Sequence, residues 1–150
     1  MGLFVVWILA AVLTIHAGNA AQQKRLETLV ITSGDQKHSF SIEVAETEQQ
    51  KSLGLMFRKS WDPGKGMLFP YAKPQELTMW MRNTYIPLDM VFIKANGTIH
   101  RIAENTEPFS EDIVASQGAV TAVLELAGGV TRKLGIKAGD SVQHRHFTAN

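Results

Sequence analysis

The hydrophobic pattern of the first third of the chain predicts a β-hairpin followed by a short helix. Residues 29–32 form an apolar run, and residues 38–44 alternate between apolar and polar side chains with a period of two, which is typical of a half-buried strand. The residues Thr47-Glu-Gln-Gln50 fit a capping box, so a helix is expected from there to about Met56. Gly54 lowers helix propensity within that segment and indicates close packing or an early stop.

The middle of the chain, residues 79–93, consists of two apolar arms around a polar corner at residues 82–84. The first arm reads as the end of a strand, and the second is apolar apart from one carboxylate, Asp89. Asn96-Gly97 follows between two apolar runs, which predicts a tight hairpin. Apolar walls with a few convergent polar groups suit a small-ligand site, although a braced strand corner would have the same pattern.

The remaining segments predict more short strands. Strand patterns occur at residues 66–70, 119–126 and 141–147, and a short helix at 130–134 is expected to end on Gly135. Residues 105–118 carry few regular signals and are expected to form a long loop. Many short strands separated by turns favour a mainly β fold, an antiparallel β-sandwich or barrel with one or two short helices.

The amino terminus resembles a secretory signal peptide. Residues 3–15 are apolar, and Gly18 and Ala20 supply small residues for cleavage after Ala20, although no Lys or Arg precedes Leu3. The alternative is an uncleaved anchor, which would be the chain's only membrane contact. We therefore expect a periplasmic or secreted protein, with residues 1–20 as signal peptide, 21–28 as lead-in, 29–143 as a single β-sandwich domain and 144–150 as tail.

Composition narrows the classes of partner. With 150 residues, 45% of them hydrophobic, the chain has room for one domain with a core. A formal net charge of +1 and the absence of long Lys/Arg runs argue against binding nucleic acid through bulk charge. The chain has no cysteine, so an exported domain would depend on its core alone. We expect a monomer.

Two carboxylates stand out because each interrupts an apolar strand. Asp89 and Glu125 need partners, since burying an isolated charge is very costly, and Arg58 and Arg82 are the nearest cations by motif. One interpretation is a ligand-binding or acid/base cluster, and the other is a structural network that braces the corner. The candidate ligand-binding residues are Arg58, Trp80, Arg82, Asn83, Thr84, Asp89 and Glu125.

Metal and cofactor sites are not expected. Met79 and Met81 share a strand face and could ligate Cu(I), but methionine more often fills a core. His144 and His146 are also two residues apart, yet two histidines without a third ligand more often lie on an exposed edge. We expect no cofactor and no metal.

Several motifs, taken in order, resemble the family known as domain of unknown function 192, whose members are small bacterial and archaeal proteins. The resemblance covers roughly residues 29–142, and Arg82 stands where the family often has Lys. It implies a jelly-roll-like β-sandwich, frequently exported, and it implies no mechanism. The matching motifs lie at residues 54–58, 66–69, 80–84, 87–93, 123–129 and 139–140.

The sequence thus favours a non-catalytic binding or accessory domain of the cell envelope, with a small polar ligand such as a sugar. No nucleophile elbow and no phosphate-binding glycine loop is present. One alternative is a hydrolase or lyase that uses Asp89 or Glu125 as general base. A further alternative is a structural interaction module without a pocket.

Overall fold

The computed structural model describes residues 25–147, and the predicted signal peptide lies outside them. Within this range seven strands form one sheet in the order β5-β4-β6-β3-β2-β1-β7, accompanied by two short α-helices and a 3₁₀ turn. In chain order these elements are β1 (Glu27–Ser33), β2 (Gln36–Val44), α1 (Glu48–Leu53), β3 (Lys65–Met79), β4 (Leu88–Ile93), β5 (Ile99–Thr106), β6 (Val114–Ala127), α2 (Val130–Leu134), β7 (Ser141–Gln143) and the 3₁₀ turn (Arg145–Phe147).

The sheet curls until its two edge strands meet at one end. Thr98, just before β5, forms a β-bridge with Ser141 of β7. The Ile99 N–H donates to the Asp140 carbonyl over 2.9 Å, and the Val142 N–H donates to the Gly97 carbonyl over 2.8 Å. The predicted mainly β class with two short helices is therefore confirmed, as one curled seven-stranded sheet.

One strand pair departs from the predicted antiparallel arrangement. β2 and β3 are parallel, from the pair Ser41–Lys65 to the pair Val44–Leu68. A parallel neighbour requires a crossover connection, and the segment between these strands, which contains α1, supplies it. The expectation of an entirely antiparallel sheet was wrong here, because the sequence signal for α1 does not indicate which strands the helix connects.

The central strands are buried on both faces. All six residues of β4 are buried, because apolar clusters cover the two sides of the sheet. The inner cluster, on the concave side, includes Val91, Ile93 and Leu124, and the outer cluster includes Met67, Met90 and Phe92. The predicted alternation along residues 88–93 is confirmed, since Val91 and Ile93 face the opposite side from Met90.

Helix termini follow the sequence signals closely. The capping box at Thr47 and Gln50 is present, with both reciprocal hydrogen bonds. α1 ends at Leu53 rather than at Met56 because Gly54 has a φ of 48°. A Cβ on Gly54 would lie 3.3 Å from the Phe69 ring, so the close packing and the early stop that this glycine indicated both occur.

Two expected segments were wrong in extent. The long loop at 105–118 is short, since β5 continues to Thr106 and β6 begins at Val114. The first part of β6 is half exposed, so it lacks the apolar pattern of a buried strand. The last strand ends at Gln143, and the chain then turns so that Phe147 packs into the inner cluster.

The edge closure makes Gly97 sensitive to substitution. Its φ is 82°, and a Cβ would lie 2.6 Å from the Val142 carbonyl oxygen. Gly34 also has a positive φ, 56°, but no atom lies within 4 Å of its Cβ position. We expect Gly97→Ala to lower the free energy of unfolding by about 3 kcal/mol and Gly34→Ala by about 1 kcal/mol, as measured by urea denaturation. Equal losses would show that the edge contact is not tight.

Candidate functional site

The polar corner at residues 82–84 holds two other loops in place through its backbone. The Asn83 carbonyl accepts from the Phe57 N–H over 2.9 Å, and the Thr84 carbonyl accepts from the Phe109 N–H over 3.1 Å. The Thr84 hydroxyl is turned inward and donates to the Arg82 carbonyl. The corner is thus a junction between the segment after α1 and the loop between β5 and β6.

The two loops and the corner together present a cluster of exposed aromatic rings, which we call the aromatic surface: Phe57, Tyr85 and Phe109. The rings of Phe57 and Tyr85 meet edge to face at 6.3 Å, and those of Tyr85 and Phe109 lie 5.1 Å apart. Their exposed fractions are 56%, 41% and 58%. Tyr85 thus contacts both phenylalanine rings, and adjoining large aromatic side chains exposed at the surface are typical of an interaction site.

The backbone that carries this surface is strained. Phe57 and Phe109 each have a φ of 64°, a left-handed conformation that bulky residues rarely adopt. Each such residue costs on the order of 1–3 kcal/mol, and strain of this kind concentrates at functional sites. The hydrogen bonds to Asn83 and Thr84 hold both residues in this conformation.

Three of the predicted ligand residues lie exposed at the same corner. Trp80 is 43% exposed, and the Arg82 guanidinium lies 4.1 Å from the centre of its ring. The other side of Arg82 pairs with Glu111 over 2.9 Å. Asn83 is exposed and has a φ of 53°. An indole ring, a guanidinium group and an amide are therefore exposed within the segment that precedes Tyr85.

Asp89 lies elsewhere and is fully buried. One carboxylate oxygen accepts from the N–H groups of Asn105 and Gly129, over 2.7 and 2.9 Å. The other accepts from the N–H and the hydroxyl of Thr131, over 2.9 and 2.7 Å. These four donors tie β4 to the start of α2 and to the end of β5. The Asp89 carboxylate therefore has a structural role, since it holds these three segments together.

The two candidate carboxylates are on opposite sides of the sheet. Asp89 pairs with Leu126, whereas Glu125 pairs with Met90, and cross-strand partners share a face. The structure therefore does not unite Asp89 and Glu125 in one cluster.

Glu125 lies on the outer face and is 4% exposed. Its cross-strand neighbours are Met67 on β3 and Met90 on β4. Burial raises the pKa of this carboxyl to about 8, and the positive charge of Arg58 offsets part of that effect. Burial thus favours the protonated, neutral form of this side chain.

Arg58 connects this face to the surface loops. Its guanidinium makes two hydrogen bonds with Glu43, of 2.7 and 2.9 Å, and lies 4.8 Å from the centre of the Trp61 ring. Glu43 is the neighbour of Met67 in the sheet, as Glu125 is on the other side. Of the predicted cluster, Arg58 acts on Glu125 through its charge, and its hydrogen-bonded partner is Glu43, not Asp89.

A polar groove of about 690 Å³ lies where β1, β2 and the chain end meet. His144 is buried there, and its Nε2 lies 2.9 Å from Glu27. Arg145 makes two hydrogen bonds to Glu27, which hold the pKa of that carboxyl down at about 2. The expectation that His144 lies on an exposed edge was therefore wrong, because the chain turns inward after Gln143.

None of the predicted ligand residues is among the described residues that line this groove or a second cleft of about 120 Å³ beside α1. Within residues 25–147 no three His, Asp or Glu side chains converge as a metal site would require. In the same range, no helix is long and apolar enough to cross a membrane.

The sequence did not predict the aromatic surface or the groove. The sequence signal for the former was an aromatic residue beside a polar one in each of three segments, at Phe57, Tyr85 and Phe109. Nothing in the sequence shows that these three segments meet.

Two solved structures are similar over most of their length. One is described as a candidate transcription regulator from Sinorhizobium meliloti 1021, with 38% identity, a TM-score of 0.79, and coverage of 82% of this chain and 96% of that one. The other is a protein of unknown function from Novosphingobium aromaticivorans DSM 12444, with 38% identity, a TM-score of 0.77, and coverage of 79% and 85%. A comparison with curated proteins finds no significant match.

A family model matches residues 29–144, which is most of the chain, and its description is an uncharacterized ACR. The match runs from β1 to β7. It therefore includes the polar corner, the hydrogen bonds around Asp89 and the outer cluster. The resemblance inferred from the motifs is therefore confirmed, and the chain belongs to the domain of unknown function 192 family.

Proposed function

We propose that this protein is a non-catalytic binding or accessory domain of the cell envelope, and that the aromatic surface is its binding face. The observation that carries the proposal is the contact between three exposed aromatic rings, two of them on residues of positive φ. A soluble fold gains nothing by itself from exposing these rings on strained backbone. A ligand that covers them recovers the apolar area.

The chemistry around the rings favours a neutral polar ligand with an apolar face, such as a sugar. Aromatic rings offer flat apolar contact, and the nearby Asn83 amide and Arg82 guanidinium offer hydrogen bonds. The charges beside the rings are balanced, since Arg82 is paired with Glu111. Such a surface favours shape and hydrogen bonding over net charge.

Acid–base catalysis is the less favoured reading. The four donors around Asp89 leave its buried carboxylate no approach for a substrate. The Glu125 side chain is only 4% exposed, so a substrate has almost no access to its carboxyl group. Neither carboxyl opens on the groove or the cleft, as judged from the described residues that line them.

The description of the Sinorhizobium relative as a candidate regulator suggests a nucleic-acid partner as a second possibility. A formal net charge of +1 argues against it, since binding to phosphate backbones depends on clustered positive charge. We therefore favour the ligand-binding interpretation.

Titration with neutral mono- and oligosaccharides, followed by ¹H–¹⁵N NMR, tests the proposed ligand class. We expect chemical-shift changes at Tyr85 and Phe109, and an affinity at least about tenfold lower in Tyr85→Ala, because a buried aromatic contact commonly contributes more than 1.4 kcal/mol. Leu26→Ala is the matched control, since Leu26 is half exposed and lies in the polar groove, not on the aromatic surface. No shift with any saccharide, or an equal loss in the control, would refute the proposal.

Export is tested separately by cell fractionation with an epitope at the carboxyl terminus. We expect the tagged chain in the periplasm or medium, shortened by residues 1–20. Retention of full-length chain in the cytoplasm would contradict the assignment to the envelope.

A further inference from the structure

The aromatic surface continues along the polar corner as a longer row of exposed side chains. Phe109 and Glu111 are two residues apart on the loop between β5 and β6. Phe109 contacts Tyr85, whereas Glu111 pairs with Arg82 over 2.9 Å. The Arg82 guanidinium in turn lies 4.1 Å from the centre of the Trp80 ring. The row therefore has aromatic side chains at both ends and a charged pair between them. Its members, in order, are Phe57, Tyr85, Phe109, Glu111, Arg82 and Trp80.

Backbone hydrogen bonds hold the two segments that carry most of this row side by side. The Met81 N–H donates to the Ser110 carbonyl over 2.9 Å, and the Phe109 N–H donates to the Thr84 carbonyl over 3.1 Å. Met81 is buried in the outer cluster, which anchors the segment to the core. A ligand therefore meets a largely preformed surface, and little binding free energy is lost in ordering it.

We infer that this row is one continuous binding site and that its ligand is a neutral oligosaccharide. A single sugar ring covers only one end of the row, because the charged pair separates Trp80 from the aromatic surface. A chain of sugars can contact both ends at once. This inference rests on the proposed function, and it extends the ligand from a sugar to a chain of sugars.

The charged pair suits the hydroxyl groups of such a chain. Arg82 Nε donates to Glu111 Oε1 over 2.9 Å. Among residues 25–147 the terminal nitrogens of this guanidinium and Glu111 Oε2 have no hydrogen-bond partner, so donors and an acceptor remain side by side. Hydroxyl groups both donate and accept, which matches this arrangement. The two charges balance each other, which favours a neutral ligand over an acidic or basic one.

Trp80 provides the second stacking surface. The guanidinium lies over its ring, yet the residue remains 43% exposed. A flat aromatic side chain gives a large apolar contact at a low cost in conformational entropy. The six side chains of the row line neither the groove nor the cleft. Such a row favours stacking of flat rings over the insertion of peptide side chains into pockets.

Titration with glucose, cellohexaose and maltohexaose, followed by ¹H–¹⁵N NMR, tests the length of the site. We expect at least one hexasaccharide to bind at least about tenfold more tightly than glucose, because it contacts both ends of the row. The Tyr85 amide and the Trp80 indole N–H should shift with a common affinity for that hexasaccharide. Equal affinities for glucose and the hexasaccharides, or shifts at Tyr85 without any at the Trp80 indole, would overturn the inference.

Variants of Trp80 separate the second stacking surface from the first. Trp80→Ala should weaken hexasaccharide binding about tenfold and leave the glucose-induced shift of the Tyr85 amide unchanged. Trp80→Phe keeps a ring and should recover most of the lost affinity. Leu26→Ala, in the polar groove, should bind as the wild type does.

The outcomes distinguish this inference from the proposed function on which it rests. Wild-type hexasaccharide affinity in Trp80→Ala would refute the longer site and leave sugar binding at the aromatic surface intact. Failure of all three saccharides to shift any resonance would instead count against the proposed function, and the inference would fall with it. The indole shift in the wild type decides the matter if Trp80→Ala does not fold.

Discussion

Asp89→Asn is expected to lower the free energy of unfolding by about 3 kcal/mol, which is a large share of the stability of a domain of this size. The amide cannot accept all four hydrogen bonds that the carboxylate accepts. Its NH₂ group would face the N–H and hydroxyl donors of Thr131. The start of α2 and the end of β5 would lose their shared anchor.

Urea denaturation at pH 7 measures this effect, with Asp112→Asn as the control at an exposed loop position. The control should change stability by less than about 0.5 kcal/mol. If Asp89→Asn kept the wild-type stability, the carboxylate would not be the brace that its contacts indicate, and a role in ligand binding or catalysis would again have to be considered.

Glu125→Gln is expected to have the opposite effect, a gain of roughly 3 kcal/mol at pH 7. The carboxyl ionises near pH 4.5 in the unfolded chain and at about 8 in the folded one. Between these values the folded state binds the additional proton, so the stability that this group supplies falls as the pH rises. It is fully present below pH 4.5 and lost by about pH 8. The glutamine side chain does not ionise in this pH range, so the variant does not lose stability as the pH rises through it.

Melting temperatures and urea midpoints from pH 4 to pH 9 check this prediction. The difference between Glu125→Gln and the wild type should be small at pH 4 and should grow by about 1.4 kcal/mol per pH unit until it levels near pH 8. Glu76→Gln, on the exposed part of β3, should follow the wild type throughout. A constant difference at all pH values would mean that packing, and not ionisation, distinguishes the two side chains.

The parts of the fold that sequence reasoning predicted are those with local causes. The opening hairpin, the capping box at Thr47 and the left-handed cap at Gly135 each depend on residues that are close in sequence. The face that Asp89 occupies follows from the period of two along β4. The hairpin predicted at Asn96-Gly97 is confirmed by the pairing of β4 with β5. Its turn is displaced by one residue, since the Gly97 N–H donates to the Lys94 carbonyl and only Gly97 of the predicted pair has a positive φ.

The parts that sequence reasoning could not supply depend on distant partners. Asp89 has the pattern of a residue that needs a cation, yet its partners are neutral groups about forty residues later, at Gly129 and Thr131. Backbone N–H donors are present at nearly every residue, so the amino-acid sequence does not show which of them will bond to Asp89. The aromatic surface is missed for the same reason, since two rings come from loops that meet only through hydrogen bonds at Asn83 and Thr84.

The closure of the sheet has a consequence for when the protein can fold. β1 pairs on one side with β7, so that Val30 lies opposite Gln143 near the other end of the chain. Such pairs close very long loops, which makes folding slow and dependent on a complete chain. A nascent polypeptide therefore lacks the strand that covers this side of β1 until β7 has been made. The sheet therefore closes only after β7 has been made and can reach β1.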